Sequence, residues 1–374
     1  MILYPHGKLY NYFSAIEGKR IERAKKHKLI DIITIAFCAV LCGSKSWYEI
    51  EEFGIVREMW LRKYLELPNG IPSHDTFGRV LGLLDPGVLE EKLMEWMRSV
   101  FVKKPERVIA IDGKTIRGTL DKGDKAFVHM VSAWSCKNGV SLAQLAVDEK
   151  RNEIYAMPKL LDMLNIRGAV ITGDAMGCQR ELAGLIKQKG GDYILAVKGN
   201  QKLLMEGIEE SCALLSPVSR HTETDCGHGR VEVRTCSVYR DLSMVPGAWN
   251  WDGLAALVRV VSTRHNKKTH AETSETRYYI TSLHRCSAAF IATCIRQHWQ
   301  VENNLHWVLD FCFQEDTVRK AFQNAAQNFS RLNRMALAVV KNTPVPCGRI
   351  KSLKGKRLRA AWSVEFLEQL LINL

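Results

Sequence analysis

Three short apolar runs constrain this chain more than any other feature: RVIAID at 107–112, GAVITGD at 168–174 and DYILAVK at 192–198. Each reads as a central strand. AFVHMVSAWSC and SLAQLAVDE read as two more strands around Lys137-Asn138-Gly139, an Asn-Gly hairpin signal. PKLLDMLNI and QRELAGLIKQKG are helices on either side of the second run. The order β-β-β-α-β-α-β predicts an α/β fold, a mixed sheet flanked by helices. Two of the strands end on an acid, Asp112 and Asp174.

The flanks differ from this centre. Residues 1–104 predict an all-helical N-terminal domain associated with DNA binding. HKLIDIITIAFCAVLCG is one helix closed by Gly43, SWYEIEEFGIVREMWLRKYLEL gives one or two, Ser73 caps another, and VLEEKLMEWMRSVF follows. Residues 105–345 hold the predicted catalytic domain, interrupted at about 216–285 by a β-rich insertion with strands in RVEVRTCSVYR, GLAALVRVVST and TRYYITSL. Helices then return in SAAFIATCIRQHWQVENNLHWVLDFCF and FQNAAQNFSRLNRMALAVVKN, and 346–374 is a basic tail with a short helix.

The chain has 374 residues, 46% hydrophobic and 25% charged, which excludes a disordered, collagen-like or rod-like protein. Fifty-three Lys and Arg against 40 Asp and Glu leave +13, which points to a polyanion, nucleic acid before membrane. Much of that charge lies in two clusters. One is Lys19, Arg20, Arg23, Lys25, Lys26 and Lys28; the other is Arg349, Lys351, Lys354, Lys356, Arg357 and Arg359. Phosphate contact is one use of them and a solvated tail the other. The apolar run Ile32 to Cys42 is about half of the roughly 20 residues a bilayer span needs. With no signal-peptide pattern at the start, a soluble cytoplasmic protein with no membrane partner is expected. Eleven scattered cysteines fit reduced thiols, and Cys226 with His228 lacks the second ligand pair of a structural zinc site.

Asp112 and Asp174 project from one sheet edge if their strands are neighbours, and a helix packed on the sheet can bring Glu302 beside them. Clustered carboxylates repel unless cations lie between them. Hard oxygen ligands suit Mg²⁺ or Mn²⁺, and two such ions can drive chemistry at phosphorus. Taken singly, each acid also fits a turn, a cap or a solvated helix face. Asp310, Glu315 and Asp316 are alternative third acids.

Several long motifs then make a family visible. HKLIDIITIAFCAVLCG, GIPSHDTFGRVLGLLDP, IAIDGKTIRG, VDEKRNEI, ITGDAMGCQ, GGDYILAVKGNQ, HGRVEVR and RQHWQVENNLHWVLDFCFQEDTVRK, in this order, resemble the H-repeat-associated proteins, transposases of the ISAs1 group in the IS4-like superfamily. The resemblance covers almost the whole chain. It implies an RNase H-like core with a β-strand insertion before the last acidic helix. It also implies an Asp-Asp-Glu triad at Asp112, Asp174 and Glu302 that holds two Mg²⁺ or Mn²⁺ ions, with hydrolysis of one DNA strand and then in-line attack by the freed 3′-hydroxyl. A homodimer on paired DNA ends is implied as well. The wider superfamily's Tyr, Arg and Lys around the last acid are replaced here by Ile295, His298 and Leu309. A catalytically inactive, domesticated DNA-binding relative is the alternative function.

Supporting residues follow from the same motifs. Lys114 and Arg117 are candidate phosphate contacts or a solvated turn. Lys198, Asn200 and Gln201 are candidate DNA-backbone contacts at the acid-bearing edge, with Asn200 also a plausible N-cap. His228 and Arg230 open the insertion, as a turn or a DNA-end contact. Trp249 and Trp251 are local core or base-stacking rings. Glu302, Leu305, His306 and Leu309 share a face at α-helical spacing, with Trp299 as core and His298 as a phosphate contact or a satisfied polar group.

Overall fold

A computed structural model describes residues 8–17, 26–102, 105–116, 128–147, 152–227, 229–317, 322–345 and 352–371. Arg117, His228, four members of the first basic cluster (Lys19, Arg20, Arg23 and Lys25) and Arg349 and Lys351 of the second lie outside the described residues.

The N-terminal part is helical: α1 (Lys8–Phe13), α2 (Leu29–Leu41), α3 (Trp47–Val56), α4 (Glu58–Leu61), α5 (His74–Leu83) and α6 (Pro86–Phe101). Nearly every residue of α2 is buried, which is why its sequence is apolar on all sides. Gly43 after it has φ 112°, a backbone region that side-chain-bearing residues avoid. Ser73 and Asp85 cap α5 and α6.

The sheet follows, with β1 (Val108–Ile116), β2 (Val128–Ser135), β3 (Val140–Val147), α7 (Glu153–Asp162), β4 (Val170–Gly173), α8 (Arg180–Gln188), β5 (Asp192–Val197) and α9 (Lys202–Leu214). The predicted helix PKLLDMLNI begins five residues earlier than its motif, with Pro158 inside α7. Next come β6 (Ser219–Gly227), β7 (Arg230–Tyr239), β8 (Ala256–Asn266) and β9 (Glu272–Thr281). All nine strands form one sheet in the order β3-β2-β1-β4-β5-β9-β8-β7-β6. The β-rich segment is therefore an extension of the central sheet, joined where Ile194 to Val197 of β5 pair with Thr281 to Tyr278 of β9.

The chain closes with α10 (Ala288–Val301), a π turn (Glu302–His306), α11 (Trp307–Phe311), α12 (Ala325–Asn342), α13 (Leu353–Trp362) and α14 (Val364–Leu371). Helix α10 lies on the face that presents Val108, Val170 and Ile194, contributing Ile291, Cys294 and Ile295 to that core. Helix α12 packs against α2, α5 and α6. Among the described residues every cysteine is a free thiol, and no helix is long and apolar enough to cross a membrane.

Of the two uses open to the second basic cluster, phosphate contact and a solvated tail, Lys356 and Arg357 in α13 take neither. Lys356 is buried and donates to the Val340 and Thr343 carbonyls at 2.8 Å each, satisfying the C-terminal end of α12. Arg357 is buried too. It donates to the carbonyls of Val40 (2.7 Å) and Cys312, and its guanidinium lies 3.8 Å from the Phe313 ring centroid. These two cations close the ends of other elements.

Candidate active site

Strand β1 runs four residues past Asp112, so that acid does not end the strand as expected. Residues 112–116 continue as a hairpin with β2. The parallel ladder with β4, however, stops at Ile111 opposite Gly173. Asp112 and Asp174 are the next residues on each side. Neighbouring strands lie roughly 4.8 Å apart, so the sheet register itself sets the two acids side by side. Residue parity puts both on the face that α10 covers. Asp174 is further fixed by its own turn: its Oδ1 accepts from the N–H groups of Met176 (3.0 Å) and Gly177 (3.2 Å).

Glu302 is the C-cap of α10 and the first residue of the π turn. The α-helical spacing expected for Glu302, Leu305, His306 and Leu309 is thus interrupted. Leu305 and Leu309 are buried, whereas Glu302 faces solvent. Single π turns inside α-helices are frequent at functional sites. His306 Nδ1 lies 3.4 Å from Asp112 Oδ2, tying the turn to β1.

The three acids feel one another. Burial, then Asp174 and also Glu302 and Glu153, push the Asp112 carboxyl up to about 7, against the pull of the Gly113 N–H. Glu302 is also raised, by partial burial and by Asp174, with Arg277 opposing. Among the described residues, no three His, Cys, Asp or Glu side chains gather as a ready metal-binding group. The acids share an edge and a field without forming a closed cage.

Lys114 does not face outward as a phosphate contact. It is buried, with its Nζ 2.7 Å from Asp310, 3.2 Å from Asp316 and 3.3 Å from Glu315. Burial disfavours the ammonium, but Glu315, Asp310 and Asp316 together outweigh that and raise its pKa. Glu315 is itself held by Arg334 at 3.2 Å. The three alternative acids are therefore occupied by cations. On the opposite face of β1, buried His129 and Glu153 pair with each other, and His129 also meets Thr115 Oγ1 at 2.8 Å. A Cβ at Gly113 would collide with both, which explains the glycine after Asp112. Neither His129 nor Glu153 stood out in the sequence; the latter's place in the NEI of VDEKRNEI was the available signal.

The remaining candidates divide. Asn200 Nδ2 donates to the Ala175 carbonyl (2.7 Å) and Gln201 Nε2 to that of Cys178 (2.9 Å), so both brace the loop after Asp174. His298 Nδ1 meets Thr172 Oγ1 at 3.0 Å, and burial lowers its pKa to about 4, which keeps the ring neutral near pH 7. Lys198 and Arg230 are exposed. Arg230 shares with Arg234, Arg264, Arg277 and Arg296 a cleft that reaches Glu302. The Arg277 guanidinium lies 4.4 Å from the Trp299 ring centroid, so Trp299 lines this cleft. Trp251 is core and Trp249 is exposed.

A model described as "Transposase DDE domain" matches residues 103–339, and one described as "DDE_Tnp_1-associated" matches 10–97. "Putative transposase YncI" of Escherichia coli O157:H7 is 40% identical over 98% of this chain and 94% of its own length. "H repeat-associated putative transposase YhhI" of E. coli K12 is 39% identical over 90% of this chain and 91% of its own. A piggyBac transposase, solved by cryo-EM in a synaptic complex with hairpin DNA, is 12% identical, with TM-score 0.42 over 94% of this chain and 75% of that one. The chain belongs to the DDE transposase family.

Proposed function

We propose that the protein cuts and rejoins DNA strands at the ends of an insertion-sequence-like element, using Asp112, Asp174 and Glu302, as a homodimer in the bacterial cytoplasm. The observation that carries this reading is the register at β1 and β4. It sets two acids side by side just past the last parallel pair, with Glu302 within their electrostatic reach.

Divalent ions fit by donor chemistry. The carboxylates are hard oxygen donors whose mutual repulsion a cation would relieve. Asp112, Asp174 and Glu302 would hold Mg²⁺ or Mn²⁺, and two such ions, when bound, activate an attacking oxygen and stabilise a leaving oxygen at phosphorus.

The chain's own groups do the positioning. The sheet fixes Asp112, and the turn N–H groups fix the carboxylate plane of Asp174. Lys114 and His306 join the strand of Asp112 to the segment that begins at Glu302. Lys198 and Arg230, both exposed, supply positive charge for the DNA backbone, whereas Arg234, Arg264, Arg277 and Arg296 of the cleft are paired with carboxylates. Arg117 and His228 belong to the same proposed DNA contact by their motifs.

The test is strand cleavage by purified protein, with Mg²⁺ or Mn²⁺, on DNA bearing the element ends. Asp112→Asn, Asp174→Asn and Glu302→Gln should each abolish cutting and leave binding largely intact. An Asp112→Asn variant that cuts like the parent would overturn the assignment. A parent that binds but never cuts would point to the non-catalytic DNA-binding alternative.

A further inference from the structure

The helix that follows Glu302 carries two large aromatic rings on its solvent side. Trp307 is 57% and Phe311 54% exposed. Their ring centroids are 4.8 Å apart and their planes are within 10° of parallel. Rings of this size normally bury most of their area. The π turn accounts for their exposure. At uninterrupted α spacing the face of Glu302 would continue through Leu305 and Leu309, which are buried. Across the wide turn the exposed positions are instead Glu302, Asn303, Trp307, Asp310 and Phe311. The Lys354 ammonium, from α13, stands 5.7 Å from the Phe311 ring centroid.

Flat rings accept any nucleobase, and a cation beside them suits the attached phosphate. The patch is two side chains wide and bounded by charged Asp310 and Lys354. That is far smaller than the roughly 800 Å² per partner of a standard protein interface. We propose that Trp307 and Phe311 form a stacking platform for an unpaired nucleobase of the DNA strand held at Asp112, Asp174 and Glu302, with Lys354 beside its phosphate. This rests on the proposed function and adds a base-binding subsite to it.

The test uses full-length protein in metal-free buffer and DNA with 2-aminopurine in a single-stranded 3′ overhang. Binding is followed by anisotropy and stacking by 2-aminopurine emission. The parent should quench the overhang base and leave the same base unchanged within a blunt duplex. The double variant Trp307→Ala/Phe311→Ala should lose the quenching and weaken overhang binding about tenfold, with duplex affinity within about twofold. Trp307→Phe, a conservative control for folding, should retain it. Unchanged quenching in the double variant overturns the platform, while Glu302→Gln still abolishing cleavage would leave the proposed function standing. A parent with no affinity for DNA overturns both. A double variant that changes the oligomeric state and keeps the quenching would assign the rings to a second copy of the chain and also overturn the platform.

Discussion

The Lys114 ammonium lies 2.7 Å from Asp310 Oδ1, bridging the strand that carries Asp112 and the helix that follows Glu302. Asp112 and Lys114 are two residues apart on one face of β1, so this bridge couples the positions of the first and third acids.

Removing Lys114 leaves carboxylates packed without their cation. Lys114→Met should lower unfolding free energy by about 3–5 kcal/mol, the usual result of breaking a buried pair from one side. Urea denaturation at pH 7 measures it. A loss under about 0.5 kcal/mol would show that the bridge carries no stability.

Asp112 has its folded pKa raised from 3.8 to about 7. A raised carboxylate binds more protons folded than unfolded, so its contribution is most favourable below about pH 4 and is lost as pH climbs toward 7. In metal-free buffer Asp112→Asn should therefore be more stable than the parent at pH 8, by something on the order of 3 kcal/mol, with the gap closing toward pH 4. Melting temperatures across that range, with and without millimolar Mn²⁺, check this. Mn²⁺ should raise the melting temperature of the parent and leave the variant unmoved.

Gly113 has no room for a side chain between Glu153 and His129. Gly113→Ala should cost about 1–3 kcal/mol as an overpacked site and should slow cleavage by displacing its neighbour Asp112. Stability and single-turnover cutting rates are the paired readouts. A variant equal to the parent in both would mean that this close approach is easily relaxed.

The C-terminal cations separate into two roles. Arg357→Met should destabilise the fold by several kcal/mol through its buried carbonyl partners and leave the salt dependence of DNA binding unchanged. Lys354→Gln should do the reverse, keeping stability and reducing the slope of binding against salt by about one unit. Equal salt slopes for parent and Lys354→Gln would remove Lys354 from the DNA path.

The apolar strands, their order and the positions of Asp112 and Asp174 were legible along the chain, because alternation and turn chemistry are local. The helix of Glu302 was legible for the same reason, but its π turn was not. Leu305 and Leu309 satisfy an α-helical pattern whether or not the backbone widens between them. Lys114 and Arg357 looked like surface charges, since nothing within a few residues pairs with them.

The sequence by itself determined which segments are strands and helices and that Asp112 and Asp174 follow the apolar runs of two of them, since backbone preference and side-chain periodicity act over a handful of residues. Only the tertiary structure decided that the β-rich segment extends the central sheet, that Glu302 opens a widened turn and that Lys114 is held by acids some 200 residues away. Those outcomes depend on which surfaces exclude water together. Burial turns a charge that is indifferent in solvent into one that must find a partner.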